Sequence, residues 1–345
     1  MARVVVGMSG GVDSSLTAAL LVEQGHDVTG VYMKNWSQDL PGMKCPWADD
    51  LADAKRVAVQ LGIDFEVYDF EREYKQRVVD YMVAEYQAGR TPNPDIMCNQ
   101  EVKFRLFLDT ALERGAQMIA TGHYARVQDG RLLRAHDSDK DQTYFLYRVT
   151  SEALSRTLFP LGDYTKSEVR AMALERGLWT ATKRESMGVC FVGSVGMRDF
   201  LAQYVTTQPG DIVDCATGRV LGRHDGAIYY TLGQRHGLDV GGGLPYYVVG
   251  KDMQANVVYV STNLDDAAMW RKVIPLSDVH WINDQPAPGN YQLRLRHRAP
   301  LVPVSLERDD STWLLRLDEP QRAATSGQSA VIYDGDICLG GGIIV

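Results

Sequence analysis

Arg3-Val-Val-Val-Gly-Met-Ser-Gly-Gly-Val-Asp-Ser-Ser15 is the stretch on which the fold reading turns. The β-branched run Arg3–Val6 passes into a glycine- and serine-rich turn. A segment then begins, Val12–Glu23, whose apolar Leu16, Ala19 and Leu20 share one helical face. Strand, glycine turn and helix in succession form the opening unit of a parallel sheet with crossovers. Outward from it, Val28–Met33 reads as a strand and Asp49–Leu61 as a helix closed by Gly62. Ile63–Tyr68 reads as a strand, Phe104–Arg114 as a helix and Gln117–Thr121 as a further strand. Residues 1–130 are therefore predicted to be α/β.

After about residue 205 the texture changes. Gln208-Pro-Gly-Asp, Asp214–Gly218, Gly241-Gly-Gly-Leu-Pro and Gly340-Gly-Gly punctuate short alternating runs. Those runs are Ala227–Leu232, Tyr246–Val249, Val257–Val260, Gln292–Arg298 and Trp313–Leu317, and turn signals this frequent predict small β modules. A break near Asp265–Arg271 separates them. The expected division is residues 1–205 as a catalytic α/β domain, 206–270 as a small central β-rich domain and 271–345 as a carboxy-terminal β-barrel.

At 345 residues the chain exceeds what one core usually supports, which agrees with this division. No run approaches the ~18 apolar residues of a membrane span, and the amino terminus has no signal-peptide pattern. Five cysteines, at 45, 98, 190, 215 and 338, make no C-x-x-C pair. That argues against a disulfide scaffold or a zinc ribbon, so a cytoplasmic setting is the default, and without a span no membrane partner is expected. With 44 acidic against 36 basic side chains, net charge points away from a generic nucleic-acid binder. Residues 1–195 carry 23 basic and 27 acidic side chains and residues 196–345 carry 13 and 17, so no domain is basic as a whole. Locally, Gly289–Pro300 holds Arg294, Arg296 and Arg298 and no acid. On one strand these alternate residues would share a face that fits a track of phosphates, or a charged edge that resists strand pairing.

The turn after the first strand is physically a polyphosphate cradle. Glycines permit close backbone approach, the following helix offers N–H groups and a positive dipole end, and Ser9, Ser14 and Ser15 add hydroxyls. It lacks the lysine of G-x-x-x-x-G-K-[ST] and the spacing of G-x-G-x-x-G. Asp13 complements the helix amino terminus. Ser-Gly-Gly-Val-Asp-Ser resembles the mark of the PP-loop ATP pyrophosphatases, a likeness that would also place Asp13 near a magnesium ion. That resemblance implies an adenine nucleotide α-hydrolase-like domain, ATP accompanied by Mg2+, and cleavage between the α- and β-phosphates. The nucleotide would be held by Gly7, Met8, Ser9, Gly10, Gly11, Val12, Asp13 and Ser14, with Met33 and Gly122 at the adenosine.

Two cysteines lie in polar loops. Cys98 follows Gly89-Arg-Thr-Pro-Asn-Pro-Asp and precedes a helix beginning near Asn99, whose dipole would favour a thiolate. Cys190 lies in Gly188-Val-Cys-Phe. Cys45, Cys215 and Cys338 read as small buried hydrophobes. With Thr121-Gly-His-Tyr-Ala125, Lys140-Asp-Gln-Thr-Tyr-Phe-Leu146, Tyr230-Thr-Leu-Gly-Gln-Arg235 and the terminal Gly-Gly-Gly-Ile-Ile, these loops resemble the tRNA-specific 2-thiouridylases along essentially the whole chain. Gln100 and Met187 depart from that family's usual lysine and threonine.

The resemblance implies ATP-dependent thiolation of C2 of the wobble uridine: adenylation with pyrophosphate release, then sulfur transfer. Cys190 would carry a persulfide received from a donor protein, a cysteine desulfurase or sulfur relay. Cys98 would be the second catalytic cysteine, attacking the persulfide to free the sulfur or closing a transient disulfide with Cys190, and Asp95 the candidate acid/base or a turn residue. Asn93, Pro94, Asp95, His123, Lys140, Asp141 and Gln142 would surround the base, with Arg296, His297, Gln328 and Arg235 on the RNA. The alternatives are another PP-loop ATP pyrophosphatase, such as a different tRNA thiolase or an amide-forming enzyme, and a non-catalytic nucleotide-binding module.

Overall fold

A computed structural model of the chain describes residues 1–39, 45–184, 196–241, 243, 245–263, 265–266, 269–322 and 324–345. β1 (Arg3–Gly7) is the middle strand of a five-stranded parallel sheet. β2 (Asp27–Lys34) and β3 (Asp64–Asp69) extend one side of it, and β4 (Met118–Ala120) lies on the other. The hairpin of β5 (Arg126–Gln128) and β6 (Arg131–Leu133) interrupts the order before β7 (Thr157–Leu158) closes the far edge. Past Arg3, β1 is apolar because both faces are covered, as a parallel sheet requires. Val4 and Val6 pack with Ala18 and Leu21 of α1 (Val12–Glu23) and with Ala54 and Val57 of α2 (Trp47–Leu61). Val5 faces Phe107 and Ala111 on the other side. Gly62 closes α2 in the left-handed conformation at φ 67°, as its sequence position predicts. Strand order reverses between β1 and β4, so the loops after them flank the point where open α/β sheets bind ligands.

The helix expected over Phe104–Arg114 begins earlier. Asn93 caps a turn at Pro94–Met97, which continues as a π-helical stretch, Cys98–Leu106, and then as an α-helix, Phe107–Glu113. Pro94 occupies the first helical position, where its missing N–H costs nothing.

The central module pairs β8 (Gly210–Asp214), β9 (Val220–His224), β10 (Tyr247–Asp252) and β11 (Val257–Ser261) in the order β10-β11-β8-β9. The predicted strand Ala227–Leu232 is instead a 3-10 turn at Ala227–Tyr229. Ala227, Ile228 and Tyr230 are all buried there, so the run does not follow the one-in, one-out burial of a strand.

β12 (Trp270–Trp281), β13 (Gly289–Arg294), β14 (Val302–Asp309), β15 (Thr312–Arg322), β16 (Ser329–Asp334) and β17 (Ile337–Ile344) form an antiparallel barrel. Pairing of β12 with β17 closes it, and Ile274, Leu293, Leu306, Leu315 and Ile332 fill it. β6 of the first domain adds to β17 through Leu132 and Leu133, so one sheet crosses the junction. Val331, Tyr333 and Cys338 of the barrel share a core with Phe104, Tyr144 and Tyr147.

Candidate functional site

The β1–α1 turn is built as a cradle. Met8 N–H donates to Val31 O at 2.7 Å, holding the turn against β2. Gly10 takes φ 73°, and a Cβ there would lie 2.3 Å from Asp50 O. Ser9 N–H donates to Ser14 Oγ at 3.1 Å, and the two hydroxyls lie 3.3 Å apart. Among the described residues no side chain caps α1 after Gly11, which leaves the leading N–H groups and dipole end of the helix for an anion. Gly122, after β4, presses on this turn: a Cβ there would sit 2.8 Å from Ser14 N. The Met33 methyl lies 3.0 Å from where a Cβ of Gly7 would be.

The lysine missing from the turn arrives from elsewhere in the chain. Lys166 Nζ contacts both Asp13 carboxylate oxygens, at 2.7 and 2.8 Å, and the Tyr124 hydroxyl donates to the same carboxylate at 2.9 Å. Lys166 opens the helix Lys166–Glu175, fixed by a capping box of Thr165 and Glu168. That T-x-x-E spacing marks where the helix starts, but not that Lys166 meets Asp13. Asp13, expected at the helix amino terminus or near magnesium, is thus already paired with an ammonium. Among the described residues no group of three or more His, Cys, Asp or Glu is placed to hold a metal. Asp137 links this corner to the next loop, accepting from Lys166 N–H at 2.9 Å and from Lys140 N–H at 3.2 Å.

Beside Gly122, His123 connects the cradle to the cysteine-bearing helix. Its Nδ1 lies 2.8 Å from Thr121 Oγ1, and its ring packs against Phe104 at 5.6 Å and Phe159 at 6.1 Å. Burial first, and the nearby Lys103 ammonium second, push the imidazole well below its ordinary value, so it is neutral at pH 7. The same ammonium is felt by Asp95, whose carboxyl burial nevertheless pushes up. Asp95 lies in the first helical turn, its N–H received by Asn93 Oδ1 at 3.2 Å. Because the helix starts at Pro94, the dipole expected at Cys98 acts on Asp95 instead, the effect fading beyond one turn. Cys98 is buried at the head of the π stretch. Long π stretches are rare, and π geometry concentrates at functional sites.

On the barrel side, three arginines do not share a strand face. β13 ends at Arg294, which is buried, and its guanidinium lies 2.6 Å from Asp141 Oδ2. Arg296 and Arg298 are exposed beyond the strand, where Arg298 takes φ 63° and the chain turns away. Asp141 also accepts from Thr143 Oγ1 and Ala135 N–H, so its buried carboxylate organises the Lys140–Gln142 loop and is not presented to a ligand. Gln142 exchanges hydrogen bonds with Tyr124, its Oε1 accepting from the Tyr124 N–H at 2.9 Å. His297 packs on Phe145 at 4.5 Å, and burial followed by the flanking Arg298 and Arg294 pushes it down to about 4. Gln328 donates to Thr91 O at 2.7 Å and so holds the approach to Asn93 and Pro94. Arg235 is exposed on the central module.

Cys190 and Met187 lie outside the described residues. Cys45 and Cys338 are buried as expected, but Cys215 is exposed in the turn after β8. No helix among the described residues is long and apolar enough to cross a membrane.

Fold and site together define a nucleotide-binding α/β domain of the PP-loop kind, joined through a small β module to a barrel. Family models match the chain end to end: a tRNA methyl transferase HUP domain over residues 2–194, a tRNA methyl transferase PRC-barrel domain over 198–262, and an aminomethyltransferase beta-barrel domain over 271–344. A tRNA-specific 2-thiouridylase of Chromobacterium violaceum is 50% identical over 99% of this chain and 92% of its own length. One of Pseudomonas aeruginosa is 48% identical over 99% and 94%. The chain belongs to the tRNA-specific 2-thiouridylase family. A 4-thiouridine synthetase solved with RNA and ATP overlays with a TM-score of 0.40 and 17% identity, covering 59% of this chain and 50% of that one, a likeness too slight to bear on function.

Proposed function

We propose that this chain replaces the C2 oxygen of the tRNA wobble uridine with sulfur in two steps, the first of them consuming ATP. The observation that carries the reading is the Gly122–His123 junction. One end presses on the cradle at Ser14 and the other packs on Phe104 of the helix that bears Asp95 and Cys98. A nucleotide on the cradle and a thiol on the helix can then serve one reacting centre.

In the first step the uridine O2 attacks the α-phosphorus of ATP and pyrophosphate leaves. The uncapped end of α1, Ser9, Ser14 and Lys166 stabilise the charge on the phosphates, and magnesium travels with the nucleotide as part of the substrate. In the second step the outer sulfur of a Cys190 persulfide, loaded by a donor protein, bonds to C2. Cys98 attacks the Cys190 sulfur, the S–S bond to the transferred sulfur breaks, and AMP departs with the uridine O2. The Cys98–Cys190 disulfide that results is returned to thiols by a cellular dithiol.

Asp95, held toward its protonated form, exchanges a proton with the base. The extruded base is read by donors: Asn93 and Gln142 have committed their side-chain oxygens to Asp95 and Tyr124, so they offer N–H groups, which suit the two carbonyls of uracil. Pro94 forms a wall beside them. Lys140, Arg296, His297 and Gln328 face the RNA in this reading, and Arg235 adds a phosphate contact. Methyl transfer, the wording of two family models, gives a pyrophosphate-leaving step no place, so the cradle favours the thiouridylase reading.

The test is pyrophosphate release from ATP with and without tRNA. Release that depends on unmodified tRNA supports adenylation of the base. ATP binding with no release on adding tRNA would make the domain a nucleotide sensor.

A further inference from the structure

Residues 143–149 touch both the helix that carries Cys98 and the barrel. The Tyr144 hydroxyl donates to Ser329 O at 3.0 Å, and the Tyr147 hydroxyl lies 3.1 Å from Ser329 Oγ. On the opposite side, Asn99 Nδ2 donates to Phe145 O at 3.0 Å. Arg148 completes the connection with three acceptors. Its Nε donates to Gln100 Oε1 at 2.6 Å and Nη1 to the Asp278 carbonyl at 2.9 Å, while Nη2 lies 3.0 Å from the Asp278 carboxylate.

Two features mark this contact as built. The Arg148 side chain is only 10% exposed, and a planar guanidinium fork serves three acceptors at fixed angles, which an ammonium cannot. Asp278 sits where the register of β12 against β17 shifts between Ser277 and His280, and it takes φ 44°. A non-glycine residue seldom adopts that conformation. Here the bulge turns both its carbonyl and its carboxylate onto one side chain.

We propose that Arg148 is a positioning residue for Cys98, clamping Gln100, two residues further along the helix, to the β12 bulge. The consecutive anchors at Asn99 and Gln100 hold this stretch from outside and so set the rotational position of Cys98. The clamp rests on the reading of Cys98 as catalytic, and the test separates the two.

Gln100→Ala removes the acceptor with little risk to folding, Gln100→Glu keeps it, and Arg148→Gln is the stronger lesion. Ile274→Val in the barrel core serves as a control for mild destabilisation. Cys98 alkylation by iodoacetamide is followed by peptide mass, alongside kcat and the tRNA KM for thiolation. Losing a hydrogen bond to a charged group corresponds to about tenfold or more. Gln100→Ala is therefore expected to change the Cys98 alkylation rate by about fivefold and lower kcat about tenfold, with the tRNA KM within about twofold. Gln100→Glu and Ile274→Val are expected to stay near wild type. An unchanged alkylation rate in folded Gln100→Ala, a loss wholly in the tRNA KM, or a Gln100→Glu as impaired as Gln100→Ala would overturn the clamp. A shifted alkylation rate with unchanged kcat would keep the clamp and remove Cys98 from the chemistry.

Discussion

Lys166 Nζ lies 2.7 and 2.8 Å from the two carboxylate oxygens of Asp13, although 153 residues separate them in sequence. An acid in the first turn of α1 would repel a polyphosphate bound at that helix end. Pairing with Lys166 cancels this repulsion and places an ammonium at the rim of the cradle.

Lys166→Gln should therefore weaken ATP binding by about tenfold or more, the usual loss for a hydrogen bond to a charged group. Titration calorimetry with ATP in the absence of tRNA measures it. Asp13→Asn should cost less, because Lys166 would remain beside the phosphates. Unaltered ATP affinity in Lys166→Gln would remove the lysine from the site.

Gly122→Ala should disturb the cradle without touching any reactive group. The added Cβ would lie 2.8 Å from Ser14 N, and backbone cannot yield cheaply. Destabilisation of about 1–3 kcal/mol, the range for overpacking, is expected in urea denaturation, together with weaker ATP binding. A neutral result would show that the β4 loop does not brace α1.

The Arg294–Asp141 pair is wholly inside the junction of barrel and first domain, and breaking such a pair strands a buried charge. Arg294→Leu should cost about 3–5 kcal/mol. Asp141→Asn combined with Arg294→Leu should cost less than the sum of the two single changes, since neither charge is then left alone. Urea denaturation of the four proteins gives the comparison, and strict additivity would contradict the pairing.

His297 makes the fold acid-sensitive. Its folded-state value, about 4, lies below the ordinary 6.5 of an unfolded histidine. As pH falls below about 6.5 the unfolded chain takes up the proton and the folded chain does not, so stability is lost down to about pH 4. His123, pushed down by burial, adds to the same loss. His297→Phe keeps a ring on Phe145 and should flatten the fall in stability between pH 6.5 and 4. An equally steep fall in the variant would assign the sensitivity elsewhere.

What was legible in the sequence follows from periodicity and turn chemistry. Val4–Val6 and the Val12–Glu23 helix were readable because a buried parallel strand leaves a continuous β-branched run and Leu16, Ala19 and Leu20 recur at helical spacing, although the helix is enclosed on most sides rather than amphipathic. Alternation misled at Gln292–Arg298: the period-two run of arginines continues past the end of β13, and what Arg294 faces is a carboxylate 153 residues away. Charge counting could not see that partner. Lys166 escaped for a related reason, being adjacent to Asp13 only once the sheet has formed. The helix expected from near Asn99 starts instead at Pro94, whose fixed φ suits a first helical position, and this moves the dipole by a turn. Cys215 reads alone as a buried cysteine, although it lies inside the Asp214–Gly218 turn signal, and polar turns of that kind run over the surface.

The central claim is that Cys98 and Cys190 together deliver sulfur to the activated uridine. Nucleoside mass analysis of tRNA incubated with ATP, a persulfide donor and each protein tests it most directly. Wild type should convert the wobble uridine to its 2-thio form, and neither Cys98→Ala nor Cys190→Ala should do so while both still bind ATP. Full thiolation by either variant would contradict the account.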